Sequence, residues 1–332
     1  MTSQALSTGQ LLWRLAQDLS AEPPASAPDL SGTGRDSHLG DGWGRLLYWA
    51  DLHTVTPLLF QTYRDAGWLG GLPSTVVDRL RQTYDHTRSR ASWMMPEFHK
   101  LLDSLSAVGM DCLILKGFPL IDRLYGDRGA RPTYDIDLWL RDPADSDRAL
   151  EALRGLGYET LPETADDHGS DHRHLAPLWK PAPRAAPGDY FNPRLPWTVE
   201  LHVTLWESHW WGLRLRALPE LWERRTVVSV DGYPTPVLGE ADQLVYLAMH
   251  QVLHIIAGNG RLIHLQDLHR LCQLLRLDRW QSAWERASVC ELEVYLAAAV
   301  LLTQAIFKTP VPEHMQAPID QAIAGRAVGT WL

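Results

Sequence analysis

The sequence is poor in cysteine, has no excess of positive charge, and lacks any hydrophobic run long enough to cross a membrane. Cysteine occurs three times in 332 residues. Cys112, Cys272 and Cys290 lie far apart in apolar contexts, which predicts buried free thiols in a reducing compartment. Lys and Arg total 31 against 40 Asp and Glu, a formal charge of −9. Phosphate backbones are gripped mainly by Lys and Arg, so this balance argues against a long nucleic acid as partner. The longest apolar run, Val294 to Leu302, is too short to span a bilayer. Met1 to Gln10 is polar and has no apolar core of the kind an export signal carries, so a cytoplasmic location is expected. Several catalytic signatures are also missing: G-x-S-x-G, G-x-x-x-x-G-K-[ST] and G-x-G-x-x-G. Their absence removes the usual hydrolase, P-loop and Rossmann readings.

What is present in unusual number is tryptophan, with 15 residues, some adjacent as at Trp210 and Trp211. Packing and groove lining account for them most simply, and a stacking platform for an aromatic ligand is the minority reading. Hydrophobic residues make up 45% and charged residues 21%, the proportions of an ordinary globular protein. The length suits two compact domains, or one with helical extensions.

The most informative stretch runs from Leu113 to Leu140. An apolar segment ends at Lys116-Gly117, a short helical pattern follows, then a polar loop with Arg128 and Arg131, then an alternating segment with Asp135 and Asp137. On a strand, Asp135, Asp137 and Trp139 share one face and Ile136, Leu138 and Leu140 the other. Paired carboxylates repel unless a cation lies between them, so D-x-D on a strand suits a divalent metal. A second alternating segment, Thr198 to Leu205, places Glu200, His202 and Thr204 on one face.

The rest of the chain divides around these strands. Residues 1–44 read as a helix (Gln10 to Leu19) and a flexible linker rich in Pro, Ser and Gly. Residues 45–110 read as helical, with a break before Pro57, a helix over Thr75 to His86, a longer one to about Val108, and Gly109 as its C-cap. Residues 111–238 hold the strands. Within them Asp145 starts a helix that Gly157 closes, Tyr158 to Leu161 reads as a strand, and His174 to Trp179 as a strand that prolines confine to an edge. Residues 239–332 read as helical, with His250 and His254 one turn apart and Asp267 on the next helix.

The D-x-D stretch resembles the catalytic segment of the polymerase-β-like nucleotidyltransferase superfamily. It is most similar to the family of uncharacterised nucleotidyltransferases, with Leu113-Ile114-Leu115-Lys116-Gly117, Tyr125, Arg131 and Asp135-Ile136-Asp137-Leu138 carrying the likeness, and His250, His254, Arg261 and Asp267-Leu268 extending it. It departs at Gly117-Phe118, where the superfamily turn has glycine or serine after the first glycine, so no serine contact to phosphate carries over. The resemblance implies an α+β protein: a nucleotidyltransferase core of a small mixed sheet with flanking helices, plus N- and C-terminal helical regions.

The resemblance also implies Asp135, Asp137 and Glu200 as ligands of Mg²⁺ or Mn²⁺, with an NTP as donor. Two ions would stabilise both the attacking and the leaving oxygens, and Glu200 also suits a general base. Lys116 pairs with either a phosphate or an acid. Gly117 either lets backbone amides approach a phosphate or only makes a tight turn. Arg131 either reaches the triphosphate or is a solvated loop residue. The expected reaction moves NMP from an NTP to a hydroxyl or phosphate of a small molecule or peptide, releasing pyrophosphate. The alternatives are a phosphotransferase or toxin-like modifier using the same site, and a nucleotide-binding protein without turnover.

The remaining histidines point elsewhere. His168, His172 and His174 fall in a long proline-rich segment, Pro162 to Pro196, which is expected to border the pocket or to be a plain surface excursion. Gln251 after His250 rules out H-E-x-x-H, and His250 and His254 read as pocket-wall or core residues.

Overall fold

The computed structural model describes residues 6–20, 22–30, 42–160, 175–180, 191–206, 209–210 and 213–324. Four helices open the chain: α1 (Thr8–Asp18), α2 (Gly42–Leu52), α3 (Thr56–Asp65) and α4 (Ser74–Ala107). The Ser7 side chain accepts the Gln10 N–H and the Gln10 side chain accepts the Ser7 N–H, a reciprocal cap that fixes where α1 begins. Pro57 sits in the first turn of α3, where its missing N–H is harmless.

Helix α4 corrects the expectation of two helices, since it runs unbroken for 34 residues. Pro96 lies inside it on the exposed side, and the Ser92 carbonyl it leaves unpaired is on an exposed residue too. The first half of α4 (Val76, Leu80, Tyr84) joins one hydrophobic cluster and the second half (Met94, Phe98, Leu101, Leu105) joins another. One helix therefore ties the two cores together. Gly109, with φ +71°, ends the segment as expected.

The strands are β1 (Cys112–Ile114), β2 (Asp135–Leu140), β3 (Glu159–Thr160), β4 (Leu178–Trp179), β5 (Thr198–His202), β6 (His209–Trp210), β7 (Leu213–Arg214), β8 (Thr226–Val230) and β9 (Tyr233–Val237). Helix α5 (Phe118–Leu120) follows β1, and α6 (Ser146–Gly155) follows β2. Seven strands form one mixed sheet in the order β3-β4-β5-β2-β1-β9-β8, and β6 and β7 pair separately. β1 runs antiparallel to β2, while β5 runs parallel to β2.

Strand β4 is not an edge strand. It pairs with both β3 and β5 over Leu178 and Trp179, after Pro177, so no proline interrupts its ladder. The hairpin β8–β9 turns at Asp231-Gly232, both with positive φ (+53° and +81°), as a tight two-residue turn requires. Pro234 and Pro236 lie in β9, which meets β1 only at Ile114 and Val237, beyond both prolines.

The back of the sheet is apolar. Ile136, Leu138, Leu140, Val199 and Leu201 pack with the second half of α4 and with Ala149 and Leu153 of α6. Each such side chain contributes about 1.5–3 kcal/mol on full burial. The front carries the polar residues, and beside them Leu113 and Leu115 join the apolar cluster of the C-terminal helices: α7 (Glu240–Ile256), α8 (Leu262–Leu274), α9 (Leu277–Val289), α10 (Glu293–Phe307) and α11 (Glu313–Ala324). These share one apolar cluster with α1, α2 and α3. Among the described residues no helix is long and apolar enough to cross a membrane.

Candidate functional site

The parallel register of β2 and β5 sets Asp135 against Thr198, Asp137 against Glu200, and Trp139 against His202. Laterally paired residues of a ladder share a face, so both carboxylate strands present their acids to the front. One ligand atom each from Asp137, Glu200 and His202 lie within 4.8 Å of one another. The His202 Nε2 is 3.0 Å from Asp137 Oδ1 and 3.6 Å from Glu200 Oε2. Asp135 is not in that trio and connects to it through Lys116. The Lys116 ammonium stands 3.2 Å from Asp135 Oδ2 and 3.1 Å from Asp137 Oδ2.

Burial dominates the electrostatics. Asp137 and His202 are each about 1% exposed. Desolvation pulls the Lys116 ammonium toward neutrality, but Asp135 and Asp137 outweigh it and hold the lysine charged. Burial likewise opposes the charged form of His202, and its hydrogen bonds to Asp137 and Glu200 reverse the balance and raise its pKa. The Asp137 Oδ2 faces the Lys116 charge but meets no donor in hydrogen-bonding geometry among the described residues.

Gly117 makes the turn after β1 with φ +79° and ψ −129°, a backbone conformation open to glycine and strained for any other residue. Its amide opens a helix of three residues, and Phe118 beside it is buried in the back core. Gln243 of α7 donates to the Leu115 carbonyl at 3.1 Å and holds this turn against the C-terminal helices.

Arg131 is committed elsewhere. Its Nε and Nη2 donate to the two oxygens of Asp267 at 2.8 and 2.7 Å, and Tyr125 donates to the same carboxylate at 2.6 Å. The side chain still lines a cavity of about 410 Å³ together with Lys116, Asp135, Arg261, His254 and His264. Arg261 lines that cavity with no carboxylate partner among the described residues. A further arginine, Arg90 of α4, is buried beneath the site. It donates to the Thr133 carbonyl at 2.9 Å, to that of Pro196 at 3.0 Å and to that of Leu195. Arg90 thereby clamps the segments that lead into β2 and β5.

His202, Arg261 and Arg90 differ in how far the sequence marks them. His202 was legible, because it shares the strand face with Glu200. Arg261 was visible only as part of a resemblance, and Arg90 has no local signature in a helix. Asp166 to His174, with His168, His172 and His174, lies outside the described residues.

An α+β fold in which adjoining parallel strands bring acids to one face beside a cation-lined cavity is of the nucleotidyltransferase kind. The chain belongs to the uncharacterised nucleotidyltransferase family, whose pattern matches residues 40–308. Among solved structures it is similar to the antibiotic-resistance factor ANT(2'')-Ia, at 16% identity and TM-score 0.37, over 68% of this chain and 98% of that one. It is also similar to an antigenic nucleotidyltransferase-like protein from Paracoccidioides brasiliensis, at 16% identity and TM-score 0.33, over 62% and 92% of the two chains. No significant match is found among curated proteins.

Proposed function

We propose that the protein transfers a nucleoside monophosphate from an NTP to a hydroxyl or phosphate of a small molecule or peptide. The observation that carries this reading is the register of Asp137 against Glu200, with Lys116 and Asp135 at the mouth of a cavity of about 410 Å³. The donor set fits a divalent cation: Asp137 has a buried oxygen short of donors, and Glu200 and His202 offer atoms close by. Asp135, Asp137 and Glu200 would hold Mg²⁺ or Mn²⁺, which when bound neutralises phosphate charge and orients the attacked phosphorus.

The chain's own groups supply the rest. Lys116, held charged between two acids, is a fixed cation for the donor phosphates. Arg261, which has no carboxylate partner among the described residues, would grip the outer phosphates, and Arg131 adds charge to the same wall while anchored to Asp267. Glu200 is the carboxylate placed to take the proton of the acceptor hydroxyl, with His202 orienting it. Gly117 permits close backbone approach at the start of α5. A chain of formal charge −9 with Lys116, Arg131 and Arg261 lining one cavity suits a compact polyanion rather than a long nucleic acid. Buried free thiols at Cys112, Cys272 and Cys290 suit the reducing cytoplasm.

The test follows the label. With Mg²⁺ and a pool of small molecules and peptides, label from the α-phosphorus of the NTP is expected on an acceptor, with pyrophosphate released. Label arriving from the γ-phosphorus instead would make the protein a phosphotransferase and overturn the reading.

A further inference from the structure

A second cluster of ligating side chains borders the same cavity and has no part in the proposed transfer. His250 and His254 lie one turn apart on α7, and His264 lies in the first turn of α8. One ring nitrogen from each of the three lies within 4.8 Å of the others. The ring centroids of His250 and His254 are 4.3 Å apart, and His264 stands 5.0 and 4.9 Å from them. Three imidazoles do not converge this way for packing, because each brings polar nitrogens that must be satisfied.

We propose that His250, His254 and His264 form a binding site for a Zn²⁺-class divalent cation, separate from the carboxylate site.

The donor chemistry selects the ion. Three imidazole nitrogens without a carboxylate suit zinc and its transition-metal neighbours and are a poor set for Mg²⁺. The tautomers are also arranged for ligation. His254 Nδ1 lies 2.8 Å from Asn259 Oδ1, so an Nδ1–H donated there leaves the Nε2 lone pair directed inward. That Nε2 lies 3.1 Å from Nε2 of His250, close to the separation of two ligands on one small ion. The shared proton then belongs to His250 and must leave when a metal enters. His264 has its Nδ1 buried without a hydrogen-bond partner among the described residues.

Structural zinc is closed by four protein ligands, whereas three ligands leave a position for an outside oxygen. His254 and His264 both line the cavity of Lys116 and Asp135, so that position is reachable by a bound phosphate or acceptor oxygen. The site stands on imidazoles alone and does not rest on nucleotidyl transfer.

The test is calorimetric titration of Zn²⁺ into the full chain with Mg²⁺ in large excess. One tight equivalent is expected. His254→Gln, at a half-exposed position, and His264→Gln should each weaken it on the order of 100-fold, with metal-free circular dichroism unchanged. Asp137→Asn and Glu200→Gln should leave it in place. No tight equivalent in the wild type, wild-type binding in both histidine variants, or loss of binding in Asp137→Asn would each overturn the proposal.

Discussion

Asp137 shows how a single side chain is shaped by its neighbours. It is buried on the front of the sheet, where Lys116 and His202 flank it. The Lys116 ammonium, 3.2 Å from Asp135 and 3.1 Å from Asp137, relieves part of the repulsion between these neighbouring acids. Asp18 is a contrasting buried acid, far from the site. It accepts from the Tyr63 hydroxyl at 2.6 Å and pairs with Arg14 at 2.9 Å. Burial pushes its carboxyl from 3.8 up to about 6, against the lowering effects of Tyr63 and Arg14. An acid with a raised folded-state pKa favours folding when protonated. Its contribution is complete below the unfolded value and is lost as pH rises through about 6. Relative to Asp18→Asn, the wild type should therefore lose roughly 2–2.5 kcal/mol of stability between about pH 4 and pH 7. Urea unfolding of both proteins at the two pH values checks this. A pH-independent difference would show that folding does not raise the Asp18 pKa.

Helix α4 links packing to the site. Its two halves serve different cores, and Arg90 sits at the junction with its fork spread over the backbone ahead of β2 and β5. Replacing Arg90 by Met leaves three carbonyls without their donor and should lower stability by about 2–4 kcal/mol. Arg90→Lys should not restore it, because one ammonium cannot reproduce the fork. Urea midpoints of the three proteins decide this; a variant as stable as wild type would mean the carbonyls find other donors.

The strands themselves were the legible part of the sequence. Period-two alternation alone put Asp135 with Asp137, and Glu200 with His202, each pair on one face. Other features had no local pattern to betray them. Arg131 meets an acid 136 residues away, and Arg90 meets carbonyls 105 and 106 residues away. The continuity of α4 likewise depended on burial of its inner face, which outweighs the proline and polar residues along it.

Taken whole, the molecule sets a polar sheet face under a roof of C-terminal helices, and the residues that matter come from both layers. Lys116, Asp135, Asp137, Glu200 and His202 come from the sheet or its turn; Arg261 and the three histidines come from the roof. Because the N-terminal helices share the roof's apolar cluster, the cavity depends on nearly the full chain. The central claim is that the acids of β2 and β5 bind nucleotide by way of a divalent ion. Calorimetric binding of a non-hydrolysable NTP analogue, with and without Mg²⁺, tests it most directly in wild type, Asp137→Asn and Glu200→Gln. Binding by the wild type that requires Mg²⁺ and weakens by about 100-fold in both variants, roughly 2.7 kcal/mol, is the predicted result. Binding that ignores Mg²⁺, or that both variants retain at wild-type strength, would contradict it.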